Sequence, residues 1–87
     1  MIEVRISELA EEELSKMDAQ LRLYFKKHIE KIVNMPTRRH MRYGLPFNVV
    51  NVTKQSRLVY QVEDDRLFIL RCFATHKEYE RWYLSFK

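Results

Sequence analysis

The sequence predicts a small α+β domain in the order β-α-α-β-β-β(-α): a twisted antiparallel sheet packed on a helix hairpin. Three observations carry that reading. Residues 2–6 and 57–62 alternate apolar and polar at period two, the signature of strands with one face buried. Between Leu21 and Ile32 the apolar positions recur every three or four residues, the signature of an amphipathic helix. After Pro36 the character changes from helical to strand-forming. The 87 residues make one domain, 1–87. With 46% apolar and 32% charged residues, the chain can bury a modest core and is not disordered by composition.

The elements follow in order. Ile2-Glu3-Val4-Arg5-Ile6 is a half-buried strand. Ser7 can cap a helix whose opening turns hold Glu8, Glu11, Glu12 and Glu13, where the helix dipole favours anions. Leu9, Leu14 and Met17 form its sparse apolar side. Asp18 caps a second helix, with Leu21, Tyr24, Phe25, His28, Ile29 and Ile32 on one stripe and Lys26, Lys27, Glu30 and Lys31 facing away. That helix ends near Asn34, because Pro36 disfavours helical geometry just before itself. His40 to Tyr43 reads as a short strand broken by Gly44-Leu45-Pro46. Phe47 to Thr53 is the next strand, where Val49-Val50 marks a bulge or burial on both faces. Lys54-Gln55-Ser56 is a turn. Arg57 to Val62 puts Leu58, Tyr60 and Val62 on one face and Arg57, Val59 and Gln61 on the other. Arg66 to Ala74 is a central strand. Thr75 caps a closing helix, with Glu78 completing a capping box.

Charge and composition narrow the function. Net charge is +4, and its placement matters more than its size. Residues 1–35 hold six basic and seven acidic groups, and residues 61–87 hold five of each, whereas residues 36–60 hold five basic groups and no acidic one. Those five are Arg38, Arg39, Arg42, Lys54 and Arg57. A cationic block on sheet-forming sequence suggests a phosphate-facing surface, with a plain solvated face as the alternative. Cys72 stands alone, so an internal disulfide and a cysteine metal site are excluded, which fits a reducing cytoplasm. The longest apolar run, Leu67 to Leu70, is too short to span a bilayer, and MIEVRIS does not read as a signal peptide. His28, His40 and His76 lie on separate elements with no carboxylate at ligand spacing, so neither a metal nor another cofactor is expected.

Arg42, Gly44 and Pro46 in RYGLP, then RLVYQV at 57–62 and the acidic turn after it, resemble the RelE/ParE family of toxins, in its RelE and YoeB branch. The element order matches that family over almost the whole chain. The resemblance implies the toxin of a type II toxin–antitoxin pair: a metal-independent endoribonuclease that cleaves mRNA on the ribosome. It implies an acidic antitoxin as partner, beside the ribosome and mRNA. The alternatives within the family are a ParE-like gyrase inhibitor without catalysis and a degenerate antitoxin-binding or regulatory member.

Metal-free RNA cleavage needs three things: removal of the 2′-OH proton, stabilisation of the anionic phosphorane, and protonation of the leaving 5′ oxygen. Arg57 matches the family's sheet arginine at the scissile phosphate, a role that suits a planar guanidinium. Lys77 and Tyr83 match the basic residue and tyrosine that RelE carries in its last segment. His76 falls about one residue from the histidine that YoeB-like members use as acid. Arg38, Arg39, His40, Arg42 and Lys54 are the candidate phosphate contacts. Tyr79 can stack a base or serve the core; Trp82 reads as core. The family's strand lysine pair is missing, since the matching positions are about Asn48 and Val50.

Overall fold

The computed structural model describes residues 3–34, 47–63 and 65–85. Its elements are β1 (Glu3–Ile6), α1 (Glu8–Ser15), α2 (Ala19–Asn34), β2 (Asn48–Asn51), β3 (Arg57–Glu63), β4 (Arg66–Phe73) and α3 (His76–Leu84). They form a four-stranded mixed sheet in the order β1-β4-β3-β2. The strand expected at His40–Tyr43 and the break at Gly44-Leu45-Pro46 lie outside the described residues.

Local chemistry sets the helix starts. Ser7 Oγ accepts from Ala10 N at 3.0 Å, Asp18 Oδ1 from Leu21 N at 2.8 Å, and Thr75 Oγ1 from Glu78 N at 3.2 Å. Glu78 answers by accepting from Thr75 N, completing the capping box. Each cap satisfies an N–H that the first helical turn leaves without a carbonyl.

β2 with β3 and β3 with β4 pair antiparallel, as the sequence predicts, but β1 joins β4 in parallel. Alternation has the same period in both arrangements, so the pattern carries no direction. Val4 and Ile6 keep 37% and 39% exposure because β1 is an edge strand. On α1 the deeply buried position is Ala10, at 0%, while Leu9 stays 54% exposed.

The sheet has two unlike faces. One packs Leu58, Tyr60, Leu67, Ile69 and Cys72 against Ala10, Met17 and Phe25 from the helix hairpin. The other packs Val59 and Phe73 under Tyr79 of α3, flanked by Phe47, Val49, Leu70, Trp82 and Tyr83. Val50 joins the first face and Val49 the second, so β2 is covered on both sides and the bulge falls elsewhere. It falls in β4: opposite Val59 and Tyr60 stand Arg71 and Ile69, leaving Leu70 unmatched. The extra residue shifts the alternation, so Ile69 and Cys72 both serve the hairpin face.

β1 stops at Ile6, so the upper part of β4 has no strand on that side. Helix α1 and its cap close the edge, with backbone and side-chain groups. Ser7 N donates to Ile69 O at 3.0 Å and Ser7 Oγ to Leu70 O at 2.8 Å. Cys72 N donates to Glu13 Oε1 at 2.9 Å. The β2–β3 turn is tied down likewise: Thr53 Oγ1 accepts from Ser56 N at 3.0 Å, and buried Ser56 donates its hydroxyl to Ala74 O at 2.8 Å. No helix among the described residues is long and apolar enough to cross a membrane.

Candidate functional site

The register places Arg57 on the α3 face of the sheet, level with Asn51 of β2 and Phe73 of β4. The turn fixes its guanidinium. Nη1 donates to the carbonyls of Ser56 at 3.0 Å, Lys54 at 3.2 Å and Thr53 at 3.4 Å. Nε and Nη2 make no hydrogen bond among the described residues, which leaves one edge of the fork for an oxyanion. The cation lies 6.0 Å from the centroid of the Tyr79 ring, at the limit of a cation–π contact.

Tyr79 is the common neighbour of this site. Its ring centroid is 6.0 Å from His76 and 6.1 Å from Tyr83, the latter in a stacked arrangement with planes 23° apart. Below it, Phe73 meets it edge-on at 6.0 Å. Trp82 packs on Phe73 at 5.4 Å and Phe47 at 5.6 Å, so it belongs to the aromatic support. Positions 76, 79 and 83 are three and four residues apart, which puts them on one face of a helix. His76 Nδ1 lies 3.5 Å from Glu80 Oε2, with both side chains about half exposed.

Arg57, His76 and Tyr83 are therefore gathered around Tyr79. Lys77, one residue on from His76, lies about 100° round the helix, exposed and outside that row. Lys54 is exposed in the turn whose carbonyls hold Arg57. Arg38, Arg39, His40 and Arg42 lie outside the described residues. Among the described residues no group of three His, Cys, Asp or Glu side chains is placed to hold a metal ion.

Register also relocates the question of the missing lysines. Asn48 pairs with Tyr60 and Val50 with Leu58, both on the hairpin face. The β2 positions that share Arg57's face are Val49 and Asn51, so Asn51 stands directly opposite Arg57. Sequence reasoning missed Asn51, because which of two adjacent residues faces a partner strand depends on register.

It also missed a second arginine. Arg71 forms a bidentate pair with Glu13 of α1, through Nη2 to Oε2 at 2.8 Å and Nε to both oxygens at 3.1 and 3.2 Å. Its guanidinium carbon lies 4.8 Å from the Phe73 ring centroid. The partners are 58 residues apart, and Glu13 reads in sequence as one more helix-opening carboxylate. The Cys72 thiol beside the pair is pushed up to about 12, by burial first and by the Glu13 charge second, with Arg71 opposing.

No protein-family model matches the sequence, and neither does any curated protein. Solved structures do match, and they define the fold. A YoeB/ParE toxin from Agrobacterium tumefaciens superposes with a TM-score of 0.69 at 14% identity, over 83% of this chain and 96% of that one. A chain of the Escherichia coli RelBE toxin–antitoxin complex gives 0.71 at 22% identity, over 84% and 95%. A metal-bound toxin from Helicobacter pylori gives 0.66 at 23% identity, over 90% and 98%. This α+β domain thus has the fold of the RelE and YoeB toxins, as the sequence motifs imply.

Proposed function

We propose that the chain is the toxin of a type II toxin–antitoxin pair, acting in the cytoplasm as a metal-independent endoribonuclease on ribosome-bound mRNA. One observation carries the reading. The motif arginine, Arg57, is held by three turn carbonyls, with one edge of its fork carrying no hydrogen bond among the described residues, on the side of the sheet where α3 presents His76 and Tyr83. In this reading the ribose 2′-OH gives its proton to solvent water as its oxygen attacks the adjacent phosphorus, and the bond to the 5′ oxygen breaks. The products are a 2′,3′-cyclic phosphate and a free 5′-OH. Arg57 donates Nε–H and Nη2–H to the equatorial oxygens as negative charge builds, at an energy cost already met by the turn. His76 in its protonated form, paired with Glu80, delivers the proton to the leaving 5′ oxygen. Tyr83, stacked on Tyr79, offers a hydroxyl and a π-face, and Lys77 adds charge at the rim. Arg38, Arg39, His40, Arg42 and Lys54 bind flanking phosphates. An acidic antitoxin neutralises the toxin by covering this face; that such a partner exists is supported by three neighbouring structures of toxin–antitoxin complexes.

A second reading is favoured by Val49 and Asn51. Neither can take the 2′ proton or supply a charge beside Arg57, which suits a ParE-like gyrase inhibitor or a regulatory member that binds an antitoxin without catalysis. The separating experiment is cleavage of mRNA on translating ribosomes. Wild-type protein should cut, and folded Arg57→Ala should lose roughly 2.7–4 kcal/mol of transition-state stabilisation. A folded Arg57→Ala protein that still arrests growth fully would sink the assignment.

A further inference from the structure

A groove of about 590 Å³ lies on the reverse side of α3 from His76 and Tyr83, between the end of α1 and the last residues of β4. Glu13 and Lys16 form one wall, Glu78 and Arg81 the other, and Arg71 with Phe73 the floor. Its hydrogen bonds give the groove a polarity. Both oxygens of Glu13 are occupied by Arg71 and Cys72 N. Glu78 is engaged in the capping box. The groove's free hydrogen-bond donors are cationic: Nη1 of Arg71 has no hydrogen bond and Arg81 no ion pair among the described residues, and Lys16 has only exposed Glu12 at 3.3 Å, so three basic groups face the two carboxylates Glu13 and Glu78. Glu13 also locks Arg71, so its free N–H is fixed in place before any ligand arrives.

We propose that this groove is a second phosphate-binding subsite for single-stranded RNA, with Arg71 and Arg81 as its anion contacts. The inference rests on the RNA-cleaving reading above and extends it to the other side of α3. An extended peptide is the poorer occupant. The β4 edge it would need is already taken, since Ile69 O, Leu70 O and Cys72 N are bonded to Ser7 and Glu13. Guanidinium donors without a free ladder suit a phosphodiester, which brings oxygens and no backbone pairing of its own. Phe73 belongs both to the groove and to the aromatic stack under Tyr79, so the two subsites share one rigid support.

The test is equilibrium binding of a single-stranded RNA dodecamer with 2′-O-methyl riboses, which cannot be cleaved, to the full chain across a salt series. Arg81→Gln should weaken binding about fivefold at 0.1 M salt and lower the salt slope by about 0.7, the contribution of one phosphate contact on a single strand. Glu13→Gln with Arg71→Gln, which removes the pair as a unit, should do the same. Lys27→Gln, an equal loss of charge on exposed α2, should change neither. Wild-type affinity and slope in Arg81→Gln, with Arg57→Ala weakened, would overturn the subsite and leave the Arg57 reading standing. So would an Arg81→Gln protein that keeps RNA and loses an acidic protein partner. Absence of any RNA binding by the wild type would also overturn it, and the ribosome cleavage assay then judges Arg57 by itself.

Discussion

The two faces of the sheet are built from different materials. The hairpin face is chiefly aliphatic: Leu58, Leu67 and Ile69, each at 0% exposure, fit against Ala10, Met17 and Phe25. The α3 face is aromatic: Phe47, Phe73, Tyr79, Trp82 and Tyr83, with Arg57 and Arg71 lying over two of those rings. Aliphatic packing is non-directional and excludes water, so it stabilises without offering chemistry. Aromatic rings pack with preferred geometry, carry polar handles and accept cations on their faces. A protein that must hold guanidinium groups at an accessible surface gains from putting them on rings. The hairpin face accordingly supplies the stability and the α3 face supplies the donors.

That division can be broken in stages. Leu67→Ala should have the largest effect, about 2–5 kcal/mol of stability, because a fully buried side chain leaves a cavity; urea denaturation measures it. If Leu67→Ala cost under 1 kcal/mol, the hairpin face would not be the main core. Arg57→Ala should be the mirror image. It should lose about 2.7–4 kcal/mol of transition-state stabilisation in the ribosome assay while its urea midpoint moves little. Next comes the link between the faces. Glu13→Ala strips the acceptor from Arg71 and Cys72 N. For a pair whose side chains keep 26% and 21% exposure, the loss should be about 2 kcal/mol, less than for a fully buried pair. A Glu13→Ala protein as stable as wild type would show that the edge of β4 needs no closing. Thr75→Ala, which removes a cap and half of a capping box, should cost about 1 kcal/mol, confined by amide exchange to α3.

The smallest effect near neutrality concerns pH. Folded Cys72 keeps its proton up to about 12, whereas an ordinary thiol loses it near 9.0. Between those values the unfolded chain releases the proton and the folded chain holds it. Stability is therefore level below pH 9 on this account and falls as pH rises toward 12. Tyr60, also raised by burial, acts with the same sign. Cys72→Ala should show a shallower fall between pH 9 and 10.5, and an identical fall would remove Cys72 from the explanation. The neutral thiol should also resist iodoacetamide until the protein unfolds.

What the sequence determined by itself was local or periodic. Ser7, Asp18 and Thr75 were legible as caps because a cap needs only a side-chain oxygen and an N–H two or three residues on. That Arg57 lies on the face opposite Leu58 and Tyr60 was legible from alternation, and RLVYQV pointed to the fold that the solved toxins share. Tertiary structure alone decided the rest. The parallel entry of β1, the unmatched Leu70 in β4 and the choice of Asn51 over Val50 beside Arg57 all depend on register and direction. Glu13 and Arg71 are chemically ordinary in the chain and become a pair only because β1 ends at Ile6 and leaves an edge for α1 to close. A one-residue slip reverses every face of a strand, and contacts between distant residues have no period to betray them; that is the physical reason the two kinds of information part company here.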